Sequence, residues 1–285
     1  MRPSGTKAKL RHAVRLFRAY TLLIAGAIFL LFPLVWLVSS ALKPDGMEFV
    51  YPPKLVPDPI MWENFPRAFS AQPLLQFARN SAIIAVFTTI GSVISSSLVG
   101  YGFARLRFRG RDFLFNVLVA TMILPEIVTL IPTFLLFRAI GWNNTFLPLI
   151  VPFFFGGGPF KVFLMRQFFL TLPVELEDAA RIDGAGTLTI WLRIMAPLAL
   201  PAEAAVAIFS FIGAWNEFLR PLVYLAAKDL WTFAVGLKFF IHEFYANWNL
   251  IMAAALVMML PVAILFLIAQ RYFVQGVAAT GLSGR

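Results

Sequence analysis

Six stretches of 24 to 27 residues carry almost no charge, and a chain that must bury six such runs has few ways to fold. They cover residues 19–42, 80–104, 113–137, 145–170, 199–225 and 244–270. The first, second and sixth hold no Asp, Glu, Lys or Arg. The third holds only Glu126, the fourth Lys161 and Arg166, and the fifth Glu203, Glu217 and Arg220. A bilayer's hydrocarbon core is about 30 Å thick, and a helix rising about 1.5 Å per residue crosses it in roughly 20 residues. Each stretch therefore predicts one crossing, TM1 to TM6 in order, and an all-α membrane protein with six transmembrane helices. Composition excludes the soluble alternative. Hydrophobic residues make up 60% and charged ones 13%, against roughly 45–50% and about 25% in soluble chains. With no cysteine and only two distant histidines, His12 and His242, no disulfide, thiolate nucleophile or metal centre is expected. His242-Glu243 lacks a second histidine three residues on, and no Gly-x-Ser-x-Gly occurs, so no catalytic residue is assigned.

The net charge of +10 describes topology rather than nucleic-acid binding. With residues 1–18 inside, the inner segments hold 16 Lys and Arg and the outer ones 8, which places both termini in the cytoplasm. The first run is too long for a signal-peptide core of roughly 7–15 residues and reads as an uncleaved span. Outside, residues 43–79 form a loop stiffened by prolines 44, 52, 53, 57, 59, 66 and 73. Inside, Arg105, Arg107, Arg109 and Arg111 alternate with apolar residues and suit the headgroups of membrane lipid. Residues 271–285 form a cytoplasmic tail.

Between TM4 and TM5, residues 171–197 form the most informative inner segment. Pro173 suits a first helical turn, and Glu175, Glu177 and Asp178 crowd its dipole-positive end. Gly184 is a natural helix stop. A second short helix follows, with Leu188, Trp191, Leu192 and Met195 expected on one apolar face, and Pro197 ends it. The result is a compact elbow suited to a soluble partner or, alternatively, an interfacial helix pair lying on lipid headgroups. Among the intramembrane charges, Glu126 sits near the middle of TM3, Glu217 and Arg220 are spaced to pair with each other, and Lys161 is expected to snorkel to the inner surface. Glu126, Asn216, Glu217 and Arg220 are the candidate substrate-pathway residues, with a seam against another membrane subunit as the alternative role of Asn216, Glu217 and Arg220. Gly156-Gly157-Gly158 reads as a break or close-packing site in TM4 rather than a phosphate cradle, and no phosphate loop occurs anywhere.

The elbow resembles the cytoplasmic signature of bacterial ABC-importer permeases. Asp178-Ala179-Ala180, Gly184, Ile194 and Ala196-Pro197 match its spacing, with Asp178 in place of the usual Glu and Ala196 in place of Leu. Further motifs are similar to carbohydrate-uptake permeases of the maltose and glycerol-3-phosphate type, the shorter six-span subunit. They are Ser39-Ser40-Ala41-Leu42-Lys43-Pro44, Glu63-Asn64-Phe65, Asn80-Ser81 and the stretch Tyr101-Gly-Phe-Ala-Arg-Leu-Arg-Phe-Arg-Gly110. Trp215-Asn216-Glu217-Phe218, Gln270-Arg-Tyr-Phe-Val274 and Gly281-Leu-Ser-Gly284 complete the set. The resemblance implies a bacterial inner-membrane importer subunit moving a carbohydrate, polyol or glycerol phosphate. It implies three kinds of partner chain: a second permease, two cytoplasmic ATPase subunits that use ATP and Mg, and an extracytoplasmic solute-binding protein. This chain would itself hold no cofactor. Glu177, Asp178, Ala179, Ala180, Asp183, Gly184, Ile194 and Pro197 are the implied ATPase-coupling residues. The rival reading, a secondary transporter or channel not powered by ATP, predicts midplane ion-coupling carboxylates and an internal repeat; only Glu126 is central and no repeat is visible.

Overall fold

The computed structural model describes residues 5–241 and 247–282, with side chains over 12–241 and 247–269. His242, Glu243, the start of the predicted TM6, the motif Gln270–Val274 and the C-terminal Gly281–Gly284 lie outside the described side chains. The described residues contain helices and no strands. In chain order the helices are α1 Gly5–Ala41, α2 Asn64–Ala71, α3 Leu74–Arg105, α4 Arg111–Ala120, α5 Glu126–Ala139, α6 Leu147–Ile150 and α7 Pro159–Thr171. The second half holds α8 Glu175–Ile182, α9 Thr187–Ile190, α10 Ala196–Leu198, α11 Leu200–Asn216, α12 Leu219–Tyr224, α13 Phe233–Lys238 and α14 Trp248–Leu282. Four of the helical segments are long and apolar enough to cross a membrane: His12–Ala41, Leu74–Arg105, Leu147–Thr171 and Trp248–Ala269. Two bent pairs raise that to six if each is one span: Arg111–Ile123 with Glu126–Ala139, bent by 104°, and Thr187–Leu198 with Leu200–Asn216, bent by 80°.

The chain divides into two compact units. The first comprises residues 1–71 and 240–257. In α1 the most apolar 18 residues bury nothing within the chain, as expected of a helix whose solvent is lipid, whereas Ser39, Ser40 and Ala41 at its end are buried. After α1 the chain runs irregularly from 43 to 63 and is held by polar side chains rather than by secondary structure. The Asn64 amide donates to the carbonyls of Ala41 at 2.9 Å and Lys43 at 2.8 Å, satisfying groups that the end of α1 leaves open. The Glu48 carboxylate accepts the Asn249 N–H at 3.0 Å, in the first turn of α14, where a negative charge is favoured. Two of the sequence motifs, at 39–44 and 63–65, thus meet for a structural reason.

In the same cluster Arg67 pairs with Asp45 at 2.8 Å, and the Asn249 amide donates to Asp45 at 2.5 Å. The hydrogen bond from Arg67, then that from Asn249, holds the Asp45 carboxyl below the usual carboxylate range. A lowered native pKa gives a stabilisation that is full above the unfolded value of about 3.9 and is lost as pH falls through the lower folded value. Both side chains are about half exposed, so the contribution is about 0.5 kcal/mol. The melting temperature of the wild type should therefore exceed that of Asp45→Asn slightly at pH 7, with the difference narrowed at pH 3. A difference that is unchanged at pH 3 would show that the charge is not what matters.

The second unit comprises residues 72–239 and 258–285 and is organised around α3, against which α7 and α11 pack. The buried face of α3 is built from small and polar residues, among them Ser81, Thr88, Gly91, Ser92, Ser95, Ser96 and Gly100. Helices in lipid gain little from burying apolar bulk and associate where backbones approach closely. At Gly100 a Cβ would stand 2.7 Å from the Met165 Cβ and 3.0 Å from the Arg166 nitrogen, so α3 and α7 touch there only because the residue is glycine. Asn80 donates to the carbonyls of Asp229 and Trp231 at 2.8 and 3.0 Å, and the Ser81 hydroxyl accepts the Phe233 N–H at 2.8 Å, which ties the start of α3 to the segment before α13. One apolar cluster, including Tyr101, Met165, Phe169, Ala180, Ile190, Met195 and Val206, seals the other end of α3.

Candidate functional site

Two places in the second unit combine charge, irregular backbone and exposure. The first is the elbow. α8 begins with Glu175, Glu177 and Asp178 in its first turn and ends in a left-handed glycine, Gly184, at φ +83°. The Gly184 N–H donates to the Arg181 carbonyl at 3.0 Å and the Ala185 N–H to the Ala180 carbonyl at 2.9 Å. These two bonds are the Schellman closure that a glycine at this position permits.

Glu177 points inward. Its carboxylate lies 3.1 Å from the Arg105 Nε and 3.8 Å from an Arg181 nitrogen, with the Tyr101 hydroxyl at 3.4 Å. Arg105 also donates to the Phe169 carbonyl at 2.7 Å and to the Leu172 carbonyl, groups left open by the end of α7. One guanidinium therefore fastens the end of α3, the end of α7 and the elbow together. Ala180 is buried in the apolar cluster and Ile194 packs against it, whereas Asp178, Ala179, Asp183, Gly184 and Pro197 are exposed. The eight predicted elbow residues thus divide into an anchoring set and a displayed set. Sequence reasoning missed Ile182, an apolar residue 87% exposed beside Gly184. The signal was its position off the face that Glu177 and Ala180 occupy.

The second elbow helix differs from expectation. Its buried residues are Ile190 and Met195, while Leu188 and Leu192 are exposed. Residues Trp191–Met195 form a π-helical turn, and this wider turn brings residues five apart onto one face. Trp191 Nε1 donates to the Ser97 hydroxyl at 3.1 Å, and Ser97 donates to Glu203 at 2.7 Å, which joins the elbow to α3 and α11.

The second place is a cavity of about 240 Å³. Glu126, Lys161, Glu217 and Arg220 line it together with Phe153, Ser210 and seven other residues. Each charged group stands at a break in a helix. Glu126 is the first residue of α5, after the bend at Leu124–Pro125. Lys161 is in the first turn of α7, after Gly156, Gly157 and Gly158, all at positive φ. Gly157 is irreplaceable twice over, because a Cβ there would also stand 2.7 Å from the Ser92 carbonyl. Glu217 and Arg220 flank the step from α11 to α12. Irregular backbone at membrane depth persists where it is buried in protein or lines a cavity, and charge at a helix centre costs roughly 2.5–3.5 kcal/mol on insertion scales. Three breaks and four charges converging on one volume identify it as the place where both costs are met.

Two expectations about these charges are corrected. Arg220 pairs with Glu126, not with Glu217. The Glu217 carboxylate accepts the N–H groups of Leu219 at 2.9 Å and Arg220 at 3.3 Å instead, closing the start of α12. Lys161 does not snorkel: it donates to the Ser92 hydroxyl at 2.9 Å and lies 5.0 Å from the centre of the Phe153 ring. Asn216 donates to the Ile212 carbonyl of its own helix at 3.0 Å and lines neither this cavity nor its neighbour. That neighbour, of about 270 Å³, shares Glu126, Phe153 and Arg220 with the first. The two adjoining volumes together fall within the range of small-molecule sites, roughly 300–1,000 Å³. Among the described residues no His, Asp and Glu are grouped to hold a metal.

A membrane-helical chain with an elbow and an intramembrane polar cavity is the form of a solute permease. The chain belongs to the family described as the binding-protein-dependent transport system inner membrane component, whose profile matches residues 92–279. It is 33% identical over 261 residues to the arabinooligosaccharides transport system permease protein of Bacillus subtilis, covering 89% of this chain and 91% of that one. It is likewise 33% identical over 271 residues to the sulfoquinovosyl glycerol transport system permease protein of Agrobacterium fabrum, covering 95% and 94%. Among solved structures it is similar to a chain of a bacterial ABC transporter involved in the import of the acidic polysaccharide alginate, with a TM-score of 0.78, 25% identity, and coverage of 92% and 98%. The family consists of transport subunits rather than catalytic enzymes.

Proposed function

We propose that this chain is the shorter permease subunit of an ATP-binding-cassette importer for a carbohydrate or a related polyol or glycerol phosphate. In this reading the four long helices and two bent pairs make six spans, and both termini face the cytoplasm. Residues 171–197 are the coupling segment, and the domain limits are those of the sequence reading, with the transmembrane domain over 80–270. The observation that carries the reading is the elbow itself. Its base is clamped by Glu177 and Arg105, while its tip displays Asp178, Asp183, Gly184 and a bare Ile182. An apolar side chain held out on a rigid base is suited to a groove on a soluble partner.

Two ATPase subunits are the fitting partners and hold the ATP and Mg, since this sequence contains no phosphate loop. A second permease pairs with it in the membrane, and a solute-binding protein delivers the solute outside, as the family description implies. When the ATPase pair closes, the clamped elbow moves as a lever, and α3, α7 and α11, which pack on its base, rock with it. Arg107, Arg109 and Arg111 face lipid headgroups. Glu126, Glu217 and Arg220 border the solute path, together with Lys161.

The reading is tested by uptake in cells carrying the complete transport system. Depleting ATP is expected to abolish accumulation of the radiolabelled solute, and an ionophore that collapses the proton gradient at constant ATP is expected to leave it intact. The opposite pattern would establish an ion-driven carrier.

A further inference from the structure

The cavity between the helix breaks holds a cation that is in no ion pair among the described residues. Of its four charged side chains, Glu126 and Arg220 are paired with each other. The Glu217 carboxylate is engaged by the N–H groups of Leu219 and Arg220. Among the described residues the Lys161 ammonium is met by a hydroxyl, Ser92, and an aromatic ring, Phe153. No carboxylate among the described residues stands within ion-pair distance of it. Two carboxylates and two cations make the lining neutral overall, but the groups nearest Lys161 do not offset its charge. Lys161 occupies the first turn of α7, whose open N–H groups carry partial positive charge, and Arg220 borders the same volume. Much of the remaining wall is apolar or neutral, including Ile84, Leu149, Phe209 and Ser210.

A half-buried ammonium that faces open volume with no carboxylate at ion-pair distance is suited to an anion that enters from outside the chain. We propose that this cavity is a subsite for the anionic group of the transported solute, a carboxylate, sulfonate, sulfate or phosphate borne on a carbohydrate or polyol. Lys161 is its ligand, and Ser92 keeps the ammonium directed into the cavity. The proposal rests on the carbohydrate-permease reading and adds to it a charge class and a contact made by this subunit itself.

The test uses the complete importer, with its partner permease, ATPase subunits and binding protein, reconstituted in proteoliposomes. Matched radiolabelled probes are offered: sulfoquinovose with glucose, digalacturonate with galactobiose, and glycerol 3-phosphate with arabitol. An anionic member is expected to be taken up. Lys161→Gln should raise its half-saturating concentration at least tenfold, while Lys161→Arg, which keeps the charge, stays within threefold of wild type. Equal loss in both variants at normal membrane levels would show that the charge is not what matters, and would overturn the proposal. Uptake of neutral members alone, or unchanged kinetics in Lys161→Gln, would overturn it while leaving the carbohydrate reading standing. Uptake of no member of the panel would overturn both.

Discussion

Replacing Gly184 with arginine is expected to lower solute uptake at least a hundredfold while the protein accumulates in the membrane at a normal level. Residue 184 stands at φ +83° with open space where a Cβ would be, so a side chain there meets backbone strain but no clash. That strain is about 1 kcal/mol, small against the stability of a folded domain. The damage is therefore local to the tip. A long cation would project from the surface that Ile182 and Asp183 share and keep a close-fitting partner away. Asp183→Arg should act alike, since it reverses charge at an exposed neighbouring position. Gly184→Ala is the control, because it imposes the same strain without the bulk and should keep at least half of the uptake. ATPase activity in the assembled system should continue in the arginine variants but lose its response to solute. Normal uptake in both arginine variants would remove the elbow from the coupling path. If Gly184→Ala failed as badly as Gly184→Arg, the backbone conformation of the tip, rather than its docking surface, would be what transport requires.

The parts of this molecule written in local chemistry were legible from its sequence. Gly184 stops α8 because few residues but glycine take a left-handed conformation without penalty, and that preference is visible in one letter. The acidic first turn of α8 and the interruption at Gly156–Gly158 were legible on the same terms. What stayed hidden depends on which residues tertiary packing brings together. Glu217 and Arg220 have the spacing of a helical pair, yet the helix breaks between them and Arg220 finds Glu126 on α5. Lys161 looks able to reach the surface when its depth is measured along TM4 at about 1.5 Å per residue. The glycine break instead sets Lys161 at the start of α7, level with Ser92 in the middle of α3. The buried pair Ile190 and Met195 follows a five-residue spacing that no regular helical pattern contains, and only the π turn explains it. Glu177 and Asp178 are adjacent acids on one helix, and nothing local says that the first is clamped inside while the second faces out. The decisive partner, Arg105, comes from the far end of α3.

That clamp yields the other large expected effect. Glu177 and Arg105 are buried, with side chains 4% and 8% exposed, so removing either leaves a desolvated charge without its main partner. Breaking such a pair costs roughly 3–5 kcal/mol, whereas replacing both members with apolar residues of similar size is often neutral. Arg105→Ala should be the most damaging single change. It strands Glu177 and also frees the carbonyls of Phe169 and Leu172 at the end of α7. Glu177→Ala should cost less, because Arg105 keeps those two carbonyls as acceptors. Glu177→Gln retains a hydrogen-bonding oxygen and should cost less again. The double variant Arg105→Met, Glu177→Leu is expected to recover most of the melting temperature lost in Arg105→Ala, measured on the purified protein in detergent. Its uptake, however, should stay low. Packing alone restores the fold, but the guanidinium is what joins the end of α3, the end of α7 and the elbow into one lever, and methionine cannot hold three elements at once. Recovery of stability and transport together would mean that the elbow needs only a packed base. Failure of the double variant to regain stability would mean that the hydrogen bonds to the α7 carbonyls, more than the pairing with Glu177, keep Arg105 in place.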